Sequence, residues 1–303
     1  LPDSPLPVAT ISSESPLTPA VNAWKMFLED QDRSIHTIKA FAADVNLLAG
    51  YLPPDRPIGS ITTKELNAFL EWMKSGRGVP CSPKTLSRRI TSLKSFFRWL
   101  HGNGVILIDP AEDVVQKSVL SPLPEILTPE ELELVRSSAQ KYRTLESADA
   151  RPQALLDLLV ATGIKKGECL GINLKHIDLD APGGPLLFVR YANPKYRYKE
   201  RKIALKKEWA KVYKEYIAQY NPRDQLFPWS PRRLEYILED IGKDAGISKH
   251  LSFLMCRWTC AVGDFEAGMD HTKIRQKLGV SEIQWREIKL KLKRLSVSTA
   301  GEK

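Results

Sequence analysis

Seven of the thirteen residues from Lys195 to Lys207 are Lys or Arg, and Glu200 is the single acid among them. Tyr196 and Tyr198 alternate there with Lys195, Arg197 and Lys199. Cations at this density suit a polyanion, and nucleic acid is the commonest one. The interleaved tyrosines can stack along such a backbone or can simply be strand residues, and the sequence leaves both roles open. A second basic cluster comprises Lys84, Arg88, Arg89, Lys94 and Arg98, within a stretch, Thr18 to Val105, that has 12 Lys/Arg against 7 Asp/Glu. The whole chain of 303 residues carries +9, with a pI near 9.3.

The other reactive residue types are sparse. Cys81, Cys169, Cys256 and Cys260 show no framework spacing, which fits a reducing, cytoplasmic setting. Cys256 and Cys260 lie one helical turn apart without a His or Cys to complete a tetrahedral set, so small buried apolar residues are expected and no metal or cofactor. No run approaches the roughly 20 apolar residues a membrane helix needs. Leu1 to Pro16, rich in Pro and Ser, lacks the cationic start and apolar centre of an export signal and reads as a flexible arm. The chain opens on Leu1 rather than Met, which leaves room for an earlier native N-terminus.

The elements that must position these residues are mostly helical. Thr18-Pro19 predicts a capped start with Val21, Trp24, Phe27 and Leu28 on one face. Helices follow from Ser34, from about Thr63 to near Gly76, and from Ser82-Pro83 to Gly102. Pro-punctuated Ser118 to Pro124 reads as a linker, and Thr128-Pro129-Glu130-Glu131 opens a new helix with a capping box. Apolar on nearly every side, RPQALLDLLVATG predicts a buried helix closed by Gly163. Leu187 and Ile203 mark two strands, 185–190 and 201–205, pairing as an antiparallel hairpin around the basic tip. The expected organisation is an arm over 1–17, a four-helix domain over 18–108, a linker over 109–126, a second, mainly helical domain with a small β-hairpin over 127–297, and a tail over 298–303.

Two stretches resemble the tyrosine recombinases, the Xer and phage integrase family. From Leu251 to Lys289 the family pattern H-x-L-R-H-[ST]-F-A…G…LGH…Y aligns without a gap through Arg257, Thr259, Ala261, Gly268, Leu278 and Gly279. In the A-T-G-[LI]-R-x-[SG]-E signature, Ala161, Thr162, Gly163, Ile164, Gly167 and Glu168 match, with Lys165 in place of Arg. The SPKTLSRRITSLKSFFRWL helix looks like the family's SAM-like core-binding domain. Together the resemblance covers nearly everything from Thr18 to about Lys291.

The resemblance implies two domains that clamp duplex DNA, and it implies a chemistry. Strand cleavage in the family transfers a DNA phosphate to a tyrosine hydroxyl. Arg forks neutralise the equatorial oxygens, a Lys protonates the leaving oxygen, and His positions and deprotonates. Carried over residue by residue, Arg257 is retained, Lys199 matches the hairpin Lys with Lys195 as a substitute, and Lys165 keeps charge without the planar fork. Leu254 and Val280 stand where the family has His, and Lys289 where it has the nucleophilic Tyr; no tyrosine follows Tyr236. The expected function is therefore duplex-DNA binding without strand cleavage, in site recognition, architecture or regulation. The expected contacts are Lys84, Arg88, Arg89, Lys94, Lys165, Lys195, Arg197, Lys199, Arg201, Arg232, Arg233 and Arg257. Partners would be a second copy on DNA or an active recombinase, with no membrane. Two alternatives stay open: an active recombinase with a relocated nucleophile, Ser281 being conceivable though a helix cap explains it, and a protein-interaction scaffold. The C-terminal helix has two possible docking places, its own domain or a neighbouring subunit.

Overall fold

The structure, a computed structural model, describes residues 10–79, 81–116, 122–144 and 146–300, with 298–300 described as backbone only. The first eight residues of the expected arm, Ala9, and most of the Ser118 to Pro124 linker lie outside the described residues. Two compact units divide the chain at Ser121 and Pro122.

The first unit is a helical bundle of α1 (Leu17–Asp30), α2 (Ile35–Ala49), α3 (Thr63–Glu71) and α4 (Pro83–Gly102). Local chemistry sets most starts: Ser34 and Ser82 each accept a first-turn N–H, and Thr62 with Glu65 forms a capping box. The start of α1 differs from expectation. It opens at Leu17 behind Pro16, with Thr18 inside the first turn, because the first N–H groups of a helix lack partners anyway and Pro19 is tolerated a residue or two further in. The end of the arm is also tied down, since Ile58 and Gly59 donate their N–H groups to the carbonyls of Ser15 and Ser13. α3 passes into a π-helical turn, Trp72–Gly76. Trp24, Phe69, Phe96 and Phe97 fill the core, with Phe96 edge-on to Trp24 at 5.3 Å.

The apolar stripe of α2 carries one charged residue. Asp44 is 2% exposed and receives the guanidinium of Arg88, the Ser92 hydroxyl at 2.7 Å and, at 3.6 Å, Nε of Arg89. An unpaired carboxylate there would be strongly disfavoured, so the α4 cations are part of the packing of α4 on α2.

The second unit is built round α6 (Arg151–Thr162), whose Ala154, Leu155, Leu156, Leu158 and Leu159 are buried, as its all-round apolar composition requires. Packed on it are α5 (Pro129–Lys141), α8 (Lys207–Tyr220), α9 (Pro231–Asp244) and α10 (Phe253–Glu266). After Gly163, at φ +60, the chain turns into the short α7 (Lys166–Leu170). A three-stranded antiparallel sheet follows in the order β1 (Ile177–Asp178), β2 (Leu186–Val189), β3 (Arg201–Ala204). The two-residue β1 has no sequence signal, being too short to alternate. α11 (His271–Leu278) lies against β3, and α12 (Glu282–Ala300) packs on α10 of its own unit through buried Leu292 and Leu295. Phe188 pairs with Lys202 and Val189 with Arg201.

Candidate functional site

Three cations converge on the C-terminal end of α11. Arg201 Nε donates to the Lys277 carbonyl at 2.7 Å, Arg257 Nη2 to the Leu278 carbonyl at 2.8 Å, and Lys165 Nζ to the Gly279 carbonyl at 3.1 Å. The last carbonyls of a helix have no intrahelical N–H and sit at the negative end of its dipole, so they are natural acceptors for positive side chains. Arg257 also donates to the carbonyl of Gly163, which closes α6. Gly279, at φ +58, makes the approach possible: a Cβ there would lie 2.5 Å from Arg201 Nη1.

Glu168 is the counter-charge. It stands in α7, and its side chain is 2% exposed. Arg201 grips both its oxygens, at 2.9 and 3.1 Å, the Lys165 N–H donates at 2.9 Å, and the Tyr191 hydroxyl donates to it as well. Burial pushes its pKa up, but the Arg201 bonds and charge and the two further donors outweigh this and hold it at about 2. Burial first, then the neighbouring cations, lower the pKa values of Lys165 and Arg257, and Glu168 offsets part of this. Three positive groups against one carboxylate leave an excess of positive charge here, and one of the three, Arg201, also lines a cavity of about 920 Å³ together with Tyr198, Lys199, Lys277, Gly279 and Val280 among others. Such an arrangement can hold an anion and can stabilise charge developing on it.

The remaining positions named from the sequence fall into three groups. Lys84, Lys195, Arg197 and Arg233 are exposed, as is Arg232, whose guanidinium lies 5.3 Å above the Tyr236 ring. Lys94 donates to the Glu112 carbonyl at 3.0 Å, and Lys199 rests over Tyr196 and Tyr198 at 4.8 and 5.1 Å. Arg88, Arg89 and Arg201 are engaged in internal ion pairs with Asp44 or Glu168. Leu254 is 61% exposed and apolar, Val280 packs on the Ala261 and Ile274 cluster, and Lys289 is half-buried. Ser281 accepts the Gln284 N–H and caps α12. Leu254 and Val280 have no proton to give or take.

Asp44, Glu168 as counter-charge and Tyr191 are residues whose roles sequence reasoning missed. Asp44 had a signal, a carboxylate on an apolar helical stripe; Tyr191 had none, because its partner is 23 residues away. The basic tip also differs from the expected hairpin: Pro194–Lys199 forms a 3-10 helix, so Tyr196 and Tyr198 are not strand residues. Burial raises the thiol pKa values of Cys256 and Cys260 to about 12 and about 11, which leaves both unreactive. Among the described residues no cluster of three or more His, Cys, Asp or Glu could hold a metal, and no helix is long and apolar enough to cross a membrane.

Comparison with known proteins places this geometry in a family. Tyrosine recombinase XerD of Listeria innocua is 28% identical over 279 residues, spanning 86% of this chain and 91% of the relative. XerC of Corynebacterium glutamicum is 27% identical over 262 residues, spanning 84% and 81%. Among solved structures, XerH site-specific recombinase bound to a palindromic difH substrate superposes with a TM-score of 0.71 at 18% identity, covering 97% of this chain and 92% of that one. A lambda integrase tetramer bound to a Holliday junction gives 0.71 at 18% identity, covering 94% and 81%. Residues 21–104 match the phage integrase N-terminal SAM-like domain. With residues 125–288 matching the phage integrase family itself, this chain belongs to that family, the tyrosine recombinases.

Proposed function

We propose that this protein binds duplex DNA through the basic surfaces of both units and has lost the strand-cleavage chemistry of its family. It would serve in site recognition, DNA architecture or the regulation of an active recombinase. The observation that supports the reading is the cation cluster at the end of α11, set beside the sequence resemblance. Lys165, Arg201 and Arg257 keep an excess of positive charge there, while by the resemblance Leu254, Val280 and Lys289 stand at the family's two His positions and its Tyr position. An anion can be held there, but nothing at these positions offers a phenol in line with it. Lys165 offers a point charge rather than a fork, which weakens transition-state stabilisation more than binding.

On this reading Lys84, Lys94, Lys195, Arg197, Lys199, Arg232 and Arg233 meet backbone phosphates, and Lys165 and Arg257 present charge to a phosphate in the former catalytic pocket. Arg88, Arg89 and Arg201 act by positioning, since each is paired with a buried carboxylate. The lambda integrase dimer on a COC' core site and tetramer on a Holliday junction among the structural neighbours support a homo-oligomer on DNA; a mixed assembly with an active recombinase is the other arrangement this reading allows.

Nicked suicide duplexes test both halves. The expected result is a complex on native gels and no adduct that survives denaturation. A denaturation-resistant protein–DNA adduct overturns the loss of chemistry. Absence of any complex at low salt overturns DNA binding.

A further inference from the structure

We infer that the loop between β2 and β3 is a stacking platform for unpaired nucleobases, so that the protein prefers gapped or single-stranded DNA to continuous duplex. The inference rests on the DNA-binding reading above and specifies its substrate. Its basis is that Tyr196 and Tyr198 stand on a 3-10 helix at the surface rather than in a strand, with 37% and 74% of their area exposed. The Tyr198 ring is left largely in water and that of Tyr196 partly so, and the two stand two residues apart.

The rings are supported from below. Tyr191 anchors the root of the loop through its hydroxyl on the buried Glu168, and its ring lies 6.0 Å from that of Tyr196. Lys199 Nζ stands 4.8 Å from the Tyr196 ring and 5.1 Å from the Tyr198 ring, so one ammonium ties the two aromatic groups together. The one acid of the loop is already engaged: Glu200 accepts from Arg190 at 3.1 Å and from the Tyr191 N–H at 3.0 Å. Lys195, Arg197 and Lys199 thus set a positive field around two partly exposed aromatic rings, the combination that tracks a single strand by neutralising phosphates and stacking bases. In a continuous duplex each base face is covered by its neighbours, and a ring at a loop tip meets only edges and phosphates. A gap uncovers base faces and gives the tyrosines a surface to lie on.

The test is fluorescence anisotropy of the full chain at fixed salt with a continuous duplex and the same duplex carrying a three-nucleotide gap. The expected result is roughly ten-fold tighter binding of the gapped duplex, the scale of one stacked base. The pair Tyr196→Ala/Tyr198→Ala is expected to erase that preference, bringing the ratio of the two affinities to about one. Tyr196→Phe/Tyr198→Phe, which keeps the rings, is expected to retain it. Equal affinity of the unmodified protein for both DNAs, or a preference that survives the alanine pair, overturns the platform while leaving duplex binding intact. Failure to bind either DNA overturns both readings.

Discussion

Successive carbonyls at the end of α11 each take a cation from a different part of the second unit, and among the described residues Glu168 is the carboxylate that pairs with these cations. Glu168→Gln is expected to destabilise the protein by on the order of 3 kcal/mol at pH 7, because Arg201 is left buried without its counter-charge. The sign with pH follows from a depressed pKa, from 4.5 down to about 2. The contribution of Glu168 is complete above about 4.5 and fades as pH falls through about 2, so urea unfolding of variant and parent should converge on acidification. Arg257 separates binding from architecture. Arg257→Ala loses two backbone bonds and should cost roughly 2 kcal/mol, with a lower Tm. If Arg257 also faces a phosphate, the salt slope of DNA binding should fall by about 1. A lowered Tm with an unchanged slope would make it purely structural.

At the scale of elements, α4 illustrates how one helix can pack through apolar and charged residues at once. Its inner face supplies Phe96 and Phe97 to the core, and its flank supplies Arg88, Arg89 and Ser92 to Asp44 of α2. Asp44→Ala is expected to destabilise the first unit by about 3 kcal/mol, read by chemical denaturation, since Arg89 loses a partner in a half-buried position while Arg88 can return to water. Asp44→Asn should recover part of that loss by keeping the Ser92 hydrogen bond. The caps of α2, α4 and α5 were readable from Ser34, Ser82 and Thr128, because a cap involves only residues within one turn. The start of α1 and the existence of β1 were not, since tertiary contacts decide a first turn and a two-residue strand.

For the molecule as a whole, the charge of +9 gives the proposed DNA binding its character. Affinity drawn from phosphate neutralisation should fall by about 10³-fold or more between 50 and 200 mM salt, as filter binding can measure. A flat salt response would favour the protein-interaction scaffold over DNA binding.

Family and helical class were legible in the sequence, because motif spacing and 3.6-residue periodicity are properties of the chain alone. The absence of a tyrosine after Tyr236 belongs to the same class of fact. What the cations do was decided only on folding. Arg201 and the Lys277 carbonyl lie 76 residues apart, and Arg257 and the Gly163 carbonyl 94. No local pattern distinguishes an arginine held inside on a helix end from one left free at the surface. Charge counts show how much positive charge exists, whereas long-range packing determines which of it is already neutralised and which remains for a partner.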